Sequence, residues 1–120
     1  MIFEDVTMKA GDNLNLKDIL VDKRKEITVE LIQKNVADHF NLKVADLKSD
    51  KRLKTFVQAR QVAIWLCRDL TSASYPDIGS RFGGKDHSTV IHATKKIDRL
   101  LGEDPQLAST IEAIRNTILQ

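Results

Sequence analysis

The sequence predicts an all-α fold, a compact helical domain of about six helices. Three observations carry that expectation. Apolar residues recur at helical spacing along most of the chain, and runs that alternate apolar with polar residues are nearly absent. Helix punctuation falls where the periodicity breaks: Thr28, Asp86 and Asp104 can cap helix starts, and Pro76 and Pro105 sit where a first helical turn tolerates proline. The 120 residues, 42% hydrophobic and 30% charged, suffice for one domain with a modest core and are too few for two.

Taken in order, "GDNLNLKDILVDKRK" brings Leu16, Ile19 and Leu20 to helical spacing and ends in cations, which suit a helix C-terminus. "DKRKE", residues 22–26, reads as a linker, so residues 1–25 are expected to form an extension and linker helix and residues 26–120 the domain. "ITVELIQKNVADHF" opens on Thr28 as N-cap and sets Leu31, Ile32, Val36 and Phe40 on one face. "NLKVADLKSDKRLKT" gives a short helical turn and then a basic loop. "FVQARQVAIWLCRDLT" is apolar around much of its circumference through Val62, Ala63, Ile64, Leu66, Cys67 and Leu70, which predicts a central helix contacted from several sides.

"YPDIGSRFG" predicts a short helix with Pro76 in its first turn and Gly83 at its exit. The following helix begins at Asp86, whose carboxylate can accept the Thr89 backbone N–H. Val90, Ala93, Ile97, Leu100 and Leu101 form its inward stripe. "DPQLASTIEAIRNTIL" closes the fold with Asp104 as cap, Pro105 at the first position, and Leu107, Ile111, Ile114 and Ile118 as its apolar face. No internal repeat or low-complexity segment interrupts this order.

Composition narrows the setting. No apolar run approaches the roughly 18 residues that span a bilayer. The start "MIFEDVTMKAGD" lacks a basic-then-apolar leader pattern, and the single cysteine, Cys67, excludes an intrachain disulfide. Both fit a cytoplasmic protein. The net charge of +2 hides an asymmetry: residues 51–100 carry 10 Lys/Arg against 4 Asp/Glu, while residues 1–50 carry 8 against 10. A basic middle between acidic flanks suggests a surface facing a polyanion.

"FGGKDHSTVIHATKKI", residues 82–97, holds the densest chemistry. A catalytic triad fails on geometry, because consecutive Asp86, His87 and Ser88 diverge by about 100° per residue on a helix. A metal site lacks ligands: His87 and His92 are five apart rather than four, and His39 is distant. "GGKDHST" is no nucleotide loop either, since Asp follows the Lys and no strand precedes it. What remains is a helix N-terminus with free N–H groups and Lys85 beside it, which suits a backbone phosphate.

The outward face of that helix presents Ser88, His92, Lys95 and Arg99, with Ile91 at its edge. Small hydrogen-bonding groups first and cations after them suit a helix entering a major groove by its N-terminus. Thr89 and Ser88 can reach base edges, Ile91 can meet a thymine methyl, and Asp86 can accept from a cytosine amino group. With the short helix before it, the stretch completes a helix-turn-helix. A second basic element, "SDKRLKTFVQAR", places Lys51, Arg52, Lys54 and Arg60 at the start of the central helix. Arg52, in a short polar loop, is suited to a narrow minor groove. Other singular residues read as structural: His39 bordering a helix end, Cys67 a buried small hydrophobe, and Trp65 packing on the N-terminal helix.

At these residues the sequence resembles the C-terminal DNA-binding domain of the DnaA family of bacterial chromosomal replication initiators. "GGKDHSTVIHA", Gly83 to Ala93, matches the family signature throughout, and "ITVELIQKNVADHFNLKVADLKS" and "ARQVAIWLCRDLT" extend the likeness over residues 26–120. The resemblance implies a Trp-repressor-like helical domain that recognises the short A·T-biased duplex called a DnaA box. It implies base contacts from Arg52 in the minor groove and from Asp86, His87, Ser88 and Thr89 in the major groove. Arg60 and Gln61 match a phosphate-holding pair. Lys85 stands where Arg is frequent, which loses a bidentate fork. Ser88 replaces a Thr, and Gln58 stands where some members are basic.

The expected function is therefore sequence-specific binding of double-stranded DNA at replication origins, without catalysis. Arg52, Asp86, His87, Ser88, Thr89 and Ile91 are the expected base-contacting residues. Lys51, Lys54, Arg60, Gln61, Lys85, His92 and Lys95 are the expected phosphate-contacting ones. No Walker A motif is present, so the family's ATP or ADP and Mg would belong to an ATPase domain outside this chain. The domain is expected to be monomeric alone, with the complete initiator assembling on the origin. The family also suggests contact of "KDILVDKRK" with acidic phospholipids. Alternatives are a helix-turn-helix transcriptional regulator, which would usually need a dimerisation element, or a helical module binding acidic partners.

Overall fold

The structure is a computed structural model and describes residues 26–120. Within them the chain forms α1 (Val29–Phe40), α2 (Val44–Lys48), α3 (Lys54–Leu70), α4 (Tyr75–Arg81), α5 (His87–Glu103) and α6 (Pro105–Leu119), with no strand among the described residues. The all-α expectation holds. The extension and linker helix expected over residues 1–25, with its phospholipid contact, lies outside the described residues.

The capping chemistry explains most boundaries. Thr28 accepts the Leu31 N–H through its hydroxyl at 3.1 Å, and Asn41 ends α1 in the left-handed region at φ 61°. Asp104 accepts from Gln106 and Leu107 N–H groups, both at 3.1 Å, with Pro105 in the first turn of α6. Ser74, not singled out in the sequence, caps α4 by accepting the Asp77 N–H.

The core joins the predicted stripes. Ile32 and Val36 of α1, Leu47 of α2, Val62, Ile64 and Leu66 of α3, Ile78 of α4, Val90 and Ile97 of α5, and Ile111, Ile114 and Ile118 of α6 are all buried. Each such aliphatic contributes about 1.5–3 kcal/mol when taken from water. α3 is the central helix as expected, packed against α1, α2, α4 and α5, while α6 closes the far side against α1 and α5. The α5 stripe is buried at Val90, Ala93 and Ile97 and only half-buried at Leu100 and Leu101.

One local expectation is corrected. The Asp86 carboxylate makes no cap bond to the Thr89 N–H; that amide bonds the Asp86 carbonyl at 3.0 Å, and the carboxylate instead accepts the Ser88 hydroxyl. The Ser88 side chain, two residues on, bonds that carboxylate locally. Trp65 is half-buried and donates its indole N–H to Asp98 Oδ1 of α5 at 2.7 Å, an aromatic body against the core with its polar edge satisfied; the N-terminal helix on which it was expected to pack lies outside the described residues.

Candidate nucleic-acid interface

α4, the turn at residues 82–86 and α5 form the helix-turn-helix, and two close backbone approaches set its angle. The Lys85 N–H donates to the Gly79 carbonyl at 2.8 Å. A Cβ on Gly79 would lie 2.2 Å from the Lys85 oxygen, so only glycine admits this contact. Gly83, at φ +85°, presses on the end of α2, where an added Cβ would lie 2.1 Å from the Lys48 oxygen. The turn is thus seated directly on the segment leading into the basic loop.

That loop, residues 49–53, is clamped from both sides. From α3, Arg60 Nε donates to the Leu47 carbonyl and its terminal nitrogen to the Lys51 carbonyl, both at 3.1 Å. Partial burial pulls the Arg60 guanidinium below its ordinary pKa range, while Asp50 opposes that shift. From the turn, Lys85 Nζ donates to Asp50 Oδ1 at 3.1 Å, the Ser49 carbonyl at 3.3 Å and the Phe82 carbonyl at 3.1 Å. The Lys85 side chain is only 15% exposed, whereas that of Asp50 is 96% exposed. The bond from Lys85, then its charge, hold the Asp50 carboxyl below the usual carboxylate range.

Arg60 and Lys85 are among the expected phosphate ligands; within the domain the donors just described are directed at loop carbonyls and Asp50, where they build the surface. Lys51, Arg52 and Lys54 remain exposed, and so does Leu53, at 60%.

The first turn of α5 is open. Asp86, His87, Ser88 and Thr89 are exposed, Ile91 is half-buried at the edge, and His92 and Lys95 follow on the outer face. The bond from Ser88, with help from His87 and neighbouring amides, keeps the Asp86 carboxyl below its ordinary pKa despite desolvation acting against it. His87 Nδ1 lies 3.4 Å from Asp86 Oδ1. The carboxylate therefore stays charged at neutral pH among donors, with room to accept one more. Gln61 is half-buried one residue past the loop anchor Arg60.

Sequence reasoning missed several supports. Gln33, buried at 1% exposure, donates to the Arg81 carbonyl at 2.9 Å and so satisfies the C-terminus of α4. Arg81 also pairs with Glu30 of α1 and Asp77 of its own helix. Thr94, not singled out in the sequence, is buried and returns its hydroxyl to the Ile91 carbonyl at 2.9 Å. Thr94 lies on the inward stripe between Val90 and Ile97, a signal that the helical period could have supplied. Among the described residues no cluster of metal-ligating side chains comes together.

Residues 29–97, more than half of the chain, match the family described as the bacterial dnaA protein helix-turn-helix. The chain belongs to the bacterial DnaA helix-turn-helix family. It is 70% identical over 104 residues to the chromosomal replication initiator protein DnaA of Geobacter metallireducens, covering 87% of this chain and 23% of that protein. It is 39% identical over 121 residues to the DnaA of Treponema denticola, covering 97% of this chain and 26% of that one. A solved structure described as a DNA replication initiation factor superposes with a TM-score of 0.68 at 33% identity, covering 76% of this chain and 28% of that one. This DnaA-family domain is a DNA-binding helix-turn-helix unit of the replication-initiation class, spanning about a quarter of the length of such relatives.

Proposed function

We propose that the domain reads a specific duplex element, the DnaA box, with the first turn of α5 in the major groove and Arg52 in the adjacent minor groove. The supporting observation is their juxtaposition: the open α5 turn and the exposed basic loop are tied to one another by Lys85, and Arg60 anchors the loop to the helix behind it. In this reading Asp86, His87, Ser88 and Thr89 meet base edges, and Ile91 contributes an apolar contact to a thymine methyl. Lys51, Lys54, Gln61, His92 and Lys95 hold flanking phosphates, and the α5 N-terminus adds its dipole.

No cofactor is assigned to the domain. Nucleotide chemistry would belong to the remainder of a complete initiator, and the working location would be the nucleoid. Binding of fluorescent duplexes by anisotropy tests the proposal, one carrying a DnaA box and one with that element scrambled. Equal affinity for the two sinks it. Arg52→Ala and Ser88→Ala should each weaken box binding by about 1–3 kcal/mol and leave the scrambled duplex less affected.

A further inference from the structure

We infer that Asp50 and Lys85 are positioning residues for recognition: their ion pair holds the basic loop in register with the reading helix. The inference rests on the proposed mode of DNA binding and extends it to residues that need not touch DNA.

A two-groove reader has a geometric problem. The tip that enters the minor groove and the helix that enters the major groove must be spaced correctly before binding, or ordering them subtracts from affinity. Here Lys85 is the link. Its amine bonds the loop twice, through the Ser49 carbonyl and the Asp50 carboxylate, and bonds the turn through the Phe82 carbonyl. Gly83 presses on Lys48 immediately before the loop, and Arg60 holds the Leu47 and Lys51 carbonyls from the opposite side. Arg52 therefore hangs between two pinned points while its own side chain stays exposed.

Asp50 is otherwise out of place. A carboxylate two residues from a minor-groove arginine repels the phosphates that the same loop must approach. Its side chain is 96% exposed, so burial of that side chain does not explain it. A role in holding Lys85 does. That role has an unusual signature, because simple electrostatics and positioning predict opposite signs for its removal.

The test is Asp50→Asn, which keeps the shape and deletes the charge, measured on box and scrambled duplexes. If Asp50 positions the loop, the ratio of box to scrambled affinity falls by about threefold to tenfold, although a negative charge near DNA has been removed. The same change in an Arg52→Ala background should leave the ratio unmoved, because nothing remains for the loop to present. Lys85→Met, which also removes the bonds to Ser49 and Phe82, should lose at least as much, and the pair together no more than Lys85→Met alone.

Tighter binding to both duplexes alike, or no change in the ratio, overturns the inference. So does a loss that persists in the Arg52→Ala background. Circular dichroism melting separates misfolding from mispositioning. Should Lys85→Met unfold, Asp50→Asn at its exposed site carries the test alone. Failure of the parent proposal is distinguishable, since then the unaltered chain would not discriminate between the duplexes at all.

Discussion

Single side chains decide here whether a cation serves DNA or the protein. Arg60 has its guanidinium bonded to two backbone carbonyls of the loop region, at 3.1 Å each. Its planar fork suits that bridge, and a lysine ammonium, a point donor on a flexible stem, does not. Arg60→Lys should therefore keep the charge yet lose box binding preferentially over scrambled binding; equal loss on both would return Arg60 to the role of a phosphate ligand. Cys67 shows the complementary case of a residue removed from chemistry. Burial pushes its thiol up from 9.0 to about 12. The unfolded chain gives up that proton first, so this contribution to stability is full below pH 9 and falls as pH rises from 9 towards 12. Urea unfolding at pH 8 and at pH 10.5 should show the unaltered chain losing about 2 kcal/mol more than Cys67→Ala over that interval. Parallel losses in the two proteins would show that the thiol is not the titrating group.

At the scale of elements, the turn between α4 and α5 separates two reasons for a glycine. Gly83 and Gly84 both have positive φ, at 85° and 76°, so any other residue is strained there. Only Gly83 is also crowded, with the Lys48 oxygen 2.1 Å from an added Cβ, whereas Gly84 faces open space. Gly84→Ala should cost about 1–2 kcal/mol in thermal or chemical unfolding. Gly83→Ala should cost distinctly more, adding an overpacking penalty of about 1–3 kcal/mol, because backbone must move. Equal costs would show that the contact with α2 relaxes freely. Local rules made much of this architecture legible in the sequence. Thr28 and Asp104 cap as their types suggest, and the stripes of α3 and α6 are buried where their periods place them. The contacts that assemble the site were not legible. Lys85 and Asp50 are 35 residues apart, and Gln33 and Arg81 are 48 apart, so neither partner is written in the local pattern. The Asp86 carboxylate differs in another way: two donors lie within reach on the same turn, and residue type alone does not say that it takes the Ser88 hydroxyl and leaves the Thr89 N–H to the Asp86 carbonyl.

For the whole molecule, charge counted along the chain overstates charge offered to a ligand. Residues 51–100 contain ten cations, which alone would suggest a broad basic face. The fold pairs Arg68 with Asp98, Arg81 with Glu30 and Asp77, Lys85 with Asp50, and Arg99 with Glu103. Arg60 is bonded to carbonyls. That leaves Lys51, Arg52, Lys54, Lys95 and Lys96 without a carboxylate partner among the described residues, in the basic loop, the start of α3 and the middle of α5. The footprint is thus compact and shared by the two elements that Lys85 links. Counterion release turns this into a number: each phosphate neutralised contributes about −0.9 to the slope of log affinity against log salt. Five available cations give a slope near −4 to −5, against about −9 were all ten engaged. A salt series on the scrambled duplex measures it without the complication of base contacts. A slope near −9 would mean that the ion pairs open on binding and that Lys85 and the arginines leave their carboxylates for phosphates. A slope near −4 means that they stay, and that acidic partners confine the positive field to the surface that reads.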